Sequence, residues 1–380
     1  MIFVPAEKLK KGMRLAKPIY NKQGVMLYER NSKLTNQGIQ SVQNFGLIGL
    51  YILEPAEPLP PFTEADREFE RFQTMSVFTL QEIMQDIRDG HQPHKLESLT
   101  MEVLRHFGNS VEKIGFTQNL RSPEDNVYKH SLNVAILAAA IYGKLAHNPE
   151  RQRYVVMAAL LHDIGCLDIP DSISHKKTKE LTDADLETIE RCKEEGYRLL
   201  RENCDLDSEV MKNISYMLKD LKELRLNGAI QNIKAPDAQV ETLKVAYLFD
   251  TMTAMKYGED PQSDVAAYKF LHHPRNRMNQ QVVRAFTQAV RLVPVGCTVQ
   301  FSNGTKGIVL TENEGDILRP FVLSFHDNRF YNLGDGKVFE KMQIKDLLKT
   351  MDNRYVMTDM YAEYLDALRD GKEPTVQRKK

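Results

Sequence analysis

Residues 158–170 read Ala-Ala-Leu-Leu-His-Asp-Ile-Gly-Cys-Leu-Asp-Ile-Pro, an apolar run that closes in the adjacent pair His162–Asp163 and then Gly165. His130 stands 32 residues upstream, at the head of a second apolar stretch, Ser131 to Ala146. No other feature constrains the chain as strongly. An adjacent His and Asp at a helix end can give one metal ion a nitrogen and a carboxylate oxygen, and a His from a neighbouring helix adds a third ligand. A metal so held lowers the pKa of a bound water and makes a nucleophile for phosphoester hydrolysis. A lone His-Asp pair is more simply a buried His with its hydrogen bonds satisfied beside an Asp that caps a turn. Here the pattern extends well beyond the pair.

The extension runs through Tyr128-Lys129-His130-Ser131-Leu132-Asn133-Val134-Ala135, then Ala158 to Asp171, then Leu181 to Glu190, Glu195-Gly196-Tyr197-Arg198-Leu199-Leu200, and Val245-Ala246-Tyr247-Leu248-Phe249-Asp250-Thr251-Met252-Thr253. In order and spacing these segments resemble the HD-GYP branch of the HD phosphohydrolase superfamily over about residues 125–290. The resemblance implies a mainly α protein, an HD-type helical bundle. It also implies two or three iron or manganese ions and hydrolysis of cyclic di-GMP.

His130, His162 and Asp163 match three of the family's metal ligands. Other positions depart from its pattern. Asn126 stands where the family has a Glu one helical turn before the first His, Cys166 replaces the Lys after His-Asp-x-Gly, and Cys192 replaces a further His. The adjacent His pair and the Gly-Tyr-Pro motif are missing from the matching stretch, roughly 215–236, and no His occurs between His175 and His272. Tyr247 replaces a metal-ligating Asp. The substrate-phosphate stretch is Lys256-Tyr257-Gly258-Glu259, in which Lys256 is the one matching cation.

Three ligand residues are too few for two dications, which repel strongly at close range without carboxylates between them. The expectation is at most one divalent ion (iron, manganese or zinc), or none. His130, His162 and Asp163 would hold it, with Cys192 or Asp250 as a fourth ligand, and Cys192 would favour zinc. Asp163 is the residue on which any catalysis would depend. Asp250 shares the buried side of a helical stripe (Val240, Leu243, Ala246, Phe249 and Met252). There a carboxylate hydrogen-bonded to backbone or to a His is the simpler reading. Tyr247 on the same face is placed to hydrogen-bond into the site, although a phenol is a poor ligand for a hard ion.

Around this segment the 380 residues divide into five stretches. Residues 1–53 form a small α/β module, with strand-like pieces at Met13–Leu15, Pro18–Tyr20 and Val25–Leu27, a helix at Thr35–Asn44 and a strand at Leu47–Leu53. Residues 54–62 carry four prolines and form a stiff linker. Residues 63–292 form the helical domain, opened by an apolar stripe (Phe69, Phe72, Met75, Phe78, Leu80) suited to core packing or a homodimer seam. Residues 293–350 form a small β-rich module with turns at Asn303-Gly304 and Gly334-Asp335-Gly336. A C-terminal helix and a basic tail occupy 351–380.

Lys plus Arg number 51 against 52 Asp plus Glu, a balance that argues against nucleic acid as a partner. The longest apolar run, Val134–Tyr142, is too short for membrane insertion. Four cysteines without a Cys-x-x-Cys pair, and an N-terminus without a signal-peptide pattern, fit a cytoplasmic protein. The expected function is a degenerate HD-GYP-like protein of cyclic di-GMP signalling that binds this or another nucleotide without turning it over. One alternative is a phosphodiesterase working through a reduced, mononuclear site. The other is an interaction scaffold with no nucleotide role.

Overall fold

The computed structural model describes residues 2–20, 26–44, 49–53, 64–116, 118, 121–146, 148–227, 237–254, 261–313 and 315–348. The Pro-rich linker, Lys256, most of the Asn227–Pro236 stretch and the C-terminal helix and tail lie outside the described residues. Two compact units are present: residues 2–53 together with 64–291, and the unit that begins at Leu292.

The first unit opens with strands β1 (Ile2–Pro5), β2 (Arg14–Leu15), β3 (Ile19–Tyr20) and β4 (Met26–Tyr28), helix α1 (Asn36–Asn44) and strand β5 (Gly49–Leu53). Strand β5 runs antiparallel between β1 and β2, and β3 pairs with β4. Val4, Leu9, Leu15, Leu34, Val42, Leu50 and Ile52 close a small core of their own. The strand β1 is additional to the pieces expected from sequence. Its four residues include Pro5, which masks the pattern.

The helices that follow are α2 (Glu64–Arg88), α3 (Leu96–Val103), α4 (Asn126–Leu145), α5 (Pro149–Leu161), α6 (Asp171–Ser174), α7 (Asp183–Asn203), α8 (Ser208–Asn227), α9 (Ala238–Thr253), α10 (Asp264–His272) and α11 (Gln280–Ala289). Helix α4 is the centre, packed by α2, α5, α9 and α11. Every residue from His130 to Tyr142 is buried. Leu132, Val134, Ile136, Leu137 and Ile141 have no exposed surface. Each such side chain contributes about 1.5–3 kcal/mol relative to solvent. This helix is apolar all round because it has neighbours all round. Of the stripe on α2, Leu80 is fully buried, and Phe69 and Phe72 meet Phe107 edge-on at 5.7 and 5.2 Å, while Met75 stays 41% exposed.

Local chemistry sets the helix ends near the site. Asn148 caps α5, its side chain accepting from the Arg151 N–H, with Pro149 in the first turn. Thr182 and Asp185 form a reciprocal capping box on α7. Helix α5 ends at Leu161, so His162 and Asp163 stand at its C-terminal end, followed by a 3-10 turn over Ile164–Asp168.

The second unit contains β6 (Thr298–Phe301), β7 (Lys306–Thr311), β8 (Phe321–Ser324), β9 (Phe330–Asn332), a short helix α12 (Gly336–Phe339) and β10 (Ile344–Leu348). These strands form one antiparallel sheet in the order β10-β6-β7-β8-β9. The Asn303-Gly304 turn joins β6 to β7, with Gly304 at φ +82°. The Gly334–Gly336 stretch makes no hairpin: the Asp335 carboxylate accepts from the Lys337 N–H and starts α12. An Asp before a Gly serves a helix start as well as a turn, which is why its pattern misleads.

Candidate metal centre

Two elements of the first unit converge on one buried point. Helix α4 supplies His130, and the end of α5 supplies His162 and Asp163. One ligand atom from each of the three lies within 4.8 Å of the others. The Asp163 Oδ2 is 3.5 Å from His130 Nε2 and 3.4 Å from His162 Nε2.

The outer atoms fix which ring nitrogen faces inward. His130 Nδ1 lies 2.6 Å from Asp250 Oδ2, and His162 Nδ1 lies 2.7 Å from the Ala159 carbonyl oxygen. Both partners are acceptors, so each Nδ1 carries the hydrogen and each Nε2 presents a lone pair. Neither Nε2 has a hydrogen-bond partner, and both are buried. Two imidazole lone pairs therefore face a carboxylate oxygen with no donor between them, an arrangement that is repulsive unless a cation joins the three. Asn126, one helical turn before His130, also has a buried Oδ1 without a partner. The donor set, two nitrogens and a carboxylate oxygen, suits a borderline divalent ion, and the hydrogen bonds behind each imidazole are those that orient metal-binding histidines.

Asp250 is fully buried and sits behind His130. Arg121 donates from one Nη2 to both its oxygens, at 2.6 and 2.7 Å, and Gln118 and Asn133 donate to Oδ1 at 3.1 and 3.0 Å. Burial opposes the charge of Asp250, but Arg121 and His130 outweigh it and hold the carboxyl far below its ordinary range. All of these contacts turn Asp250 toward the outer face of His130. Burial likewise lowers the pKa of His130 despite the carboxylates beside it.

The second oxygen of Asp163 is held from α7. Lys193 Nζ is 2.9 Å from Asp163 Oδ1 and 3.3 Å from the Tyr247 hydroxyl, and the side chain is 5% exposed. Burial works against the charge of Asp163, yet the Lys193 ammonium in contact with Oδ1 helps carry its carboxyl well below the ordinary value. The Tyr247 ring closes this side, its centroid 4.7 Å from that of His130 and 5.6 Å from that of His162. Arg225, ion-paired with Glu190, stands near enough for its charge to act on Asp163 and Tyr247.

Two glycines bring α7 this close. A Cβ on Gly165 would lie 2.1 Å from the Cys192 carbonyl oxygen, and one on Gly196 would lie 2.4 Å from the Gly165 nitrogen. Backbone therefore rests on backbone, and that contact sets the register of α7. In this register Lys193 faces Asp163, while the neighbouring Cys192 thiol donates to the Asp168 carbonyl oxygen at 3.6 Å. Among the described residues the ligand cluster contains neither Cys192 nor Asp250.

Residues 127–255 match the HD domain family. The chain carries an HD domain. Two curated relatives extend the likeness. The cyclic di-GMP phosphodiesterase PA4108 of Pseudomonas aeruginosa is 26% identical over 314 residues, 78% of this chain and 71% of that protein. The cyclic di-GMP phosphodiesterase PdeB of Borreliella burgdorferi is 23% identical over 216 residues, 56% of this chain and 54% of that one. Among solved structures, the HDG"Y"P protein Bd1817 of Bdellovibrio bacteriovorus covers 75% of this chain and 97% of its own at a TM-score of 0.44 and 14% identity. The HD domain and the homology to cyclic di-GMP phosphodiesterases agree with the family read from the sequence motifs. No helix among the described residues is long and apolar enough to cross a membrane.

Lys193 and Arg121 are the site residues the sequence reading passed over. Lys193 had a signal. Leu186, Ile189, Lys193, Gly196 and Leu200 follow each other at steps of three and four, so a lysine stands in an apolar row of α7. Arg121 had none, because it lies in irregular chain before α4 and reaches Asp250 across 129 positions.

Proposed function

We propose that this chain is a cyclic di-GMP-responsive HD protein that holds one divalent ion at His130, His162 and Asp163 and acts by binding the nucleotide rather than by rapid turnover. The observation that carries the reading is the pair of buried, unpartnered Nε2 atoms facing Asp163 Oδ2, with the other oxygen already taken by Lys193. Cyclic di-GMP is the ligand named for both curated relatives.

When bound, a divalent ion there supplies a Lewis acid toward a phosphate oxygen. The chain's own residues do the remaining work. Asp250 and the Ala159 carbonyl hold the two imidazoles in the tautomer that offers Nε2. Arg121 keeps Asp250 ionised, so that His130 retains its Nδ1 hydrogen. Tyr247 shuts one side of the site with its ring and brings no carboxylate to it. His130, His162 and Asp163 are the only ligand cluster among the described residues, and it holds no further carboxylate for a second ion.

The test is metal content per chain after anaerobic purification, followed by calorimetric binding of cyclic di-GMP with and without the metal. About one ion in wild type, none in Asp163→Ala, and nucleotide binding that depends on the ion support the reading. An absence of metal after saturation with manganese, iron and zinc in turn would refute it. A second reading, a mononuclear phosphodiesterase, is favoured by the fixed tautomers, which suit catalysis as well as binding. Sustained metal-dependent hydrolysis of cyclic di-GMP, abolished in Asp163→Ala, would select it.

A further inference from the structure

We infer that the Lys193 ammonium is a built-in cation of this site, which limits it to one divalent ion and weakens the hold on that ion. The inference rests on the proposed metal site and goes beyond it by assigning a role to a residue outside the ligand set.

Four formal charges are buried together. Asp163 and Asp250 carry two negative charges, and Lys193 and Arg121 carry two positive ones, each pair in direct contact at 2.9 and 2.6 Å. The group is thus neutral before any ion enters. A divalent ion brings the group to a formal charge of plus two, and a second would bring it to plus four with no further carboxylate in the cluster. The ammonium and the ion would share one carboxylate, Lys193 on Oδ1 and the ion on Oδ2. Like charges on the two sides of a single carboxylate, shielded from water, repel strongly.

The placement of Lys193 is built rather than incidental. Its Nζ is bound by Asp163 and Tyr247, its position on α7 is set by the Gly165–Gly196 contact, and its side chain is 5% exposed. An ordinary helix lysine would extend its ammonium to solvent. Here it reaches Asp163 because the two glycines let α7 rest directly on the backbone that follows Asp163.

The experiment is equilibrium metal binding, with manganese and separately zinc as probes, on full-length wild type, Lys193→Met and Lys193→Arg. Removing the charge is expected to tighten binding at least tenfold. Lys193→Arg, which keeps it, is expected to stay within about threefold of wild type. A second readout is thermal stability: apo Lys193→Met leaves Asp163 without a cation, so its melting temperature is expected to fall and to recover more on metal addition than that of wild type. If Lys193→Met folds only with metal present, that too supports the inference. If it does not fold at all, Lys193→Gln, which retains a donor to Asp163, is read by the same measurement. Equal or weaker metal affinity in the folded, uncharged variant overturns the inference and leaves the proposed metal site standing. Metal binding by neither protein overturns both.

Discussion

Arg121→Met is the most informative single change outside the ligand set. The substitution keeps the apolar stem and removes the guanidinium from a pair whose side chains are 1% and 0% exposed. Removing one partner of a buried pair costs about 3–5 kcal/mol, because the remaining charge has no compensation. The molecule can avoid part of that cost by protonating Asp250. At about pH 7, neutralising a carboxyl with the ordinary value of 3.8 requires about 4 kcal/mol, at about 1.4 kcal/mol per pH unit. Asp250 would keep His130, Gln118 and Asn133 as donors, and the loss of two buried Arg121 nitrogens without partners offsets a little of the penalty. The expected cost is therefore about 3 kcal/mol near neutrality, falling to below about 2 kcal/mol near pH 5, where protonation becomes easy. Urea unfolding followed by helical ellipticity at both pH values measures it. Adding Asp250→Asn to Arg121→Met should restore at least half of the loss, since the uncompensated charge is then gone. A loss below about 1 kcal/mol at neutral pH, or one that does not shrink on acidification, would falsify the account of Arg121 as the partner that keeps Asp250 ionised.

Gly165→Ala places a methyl group 2.1 Å from the Cys192 carbonyl oxygen, so α7 must move. A loss of about 3 kcal/mol or more in urea unfolding is expected, together with reduced metal affinity, and a neutral result would contradict the backbone contact. Cys192→Ser is expected to leave metal content unchanged, because the thiol is bonded to the Asp168 carbonyl, and loss of the ion would return Cys192 to the ligand set. Acid should destabilise the protein in two stages. The pKa of folded His130 lies below 6.5, so the unfolded chain takes up a proton first and stability falls as pH drops through that value. The carboxyls of Asp163 and Asp250 lie below 3.8 when folded, so the stability they contribute is present above that value and is lost further into acid. Urea midpoints that rise between about pH 7 and about pH 5 would contradict this order.

Much of this architecture was legible because its signals are local. The apolar run of α4 and the Asn303-Gly304 turn each depend on a few neighbouring residues. The His130, His162 and Asp163 cluster was legible through motif spacing, and the structure brings those atoms together. The reading was weakest where one residue of register decides. Cys192 and Lys193 are adjacent on α7, and periodicity alone does not say which of them faces Asp163. That choice depends on a glycine contact between two segments 31 positions apart, Gly165 and Gly196. Asp250 shows the other limit. Its burial followed from the stripe on α9, but its principal partner, Arg121, comes from a stretch with no periodic signal.

The division of Asp163 between imidazoles on one oxygen and an ammonium on the other has a consequence for the way this protein meets a changing environment. In many small metal sites the ion is also a structural rivet, and a chelator that removes it unfolds the chain. Here a cation that cannot diffuse away is anchored to the carboxylate by its own helix. Chelation would empty the space between the two imidazoles without leaving a bare buried carboxylate behind. On the proposed metal site, the domain would thus sit folded through episodes of metal scarcity and take up an ion when supply returns, with occupancy following the surroundings while the scaffold does not.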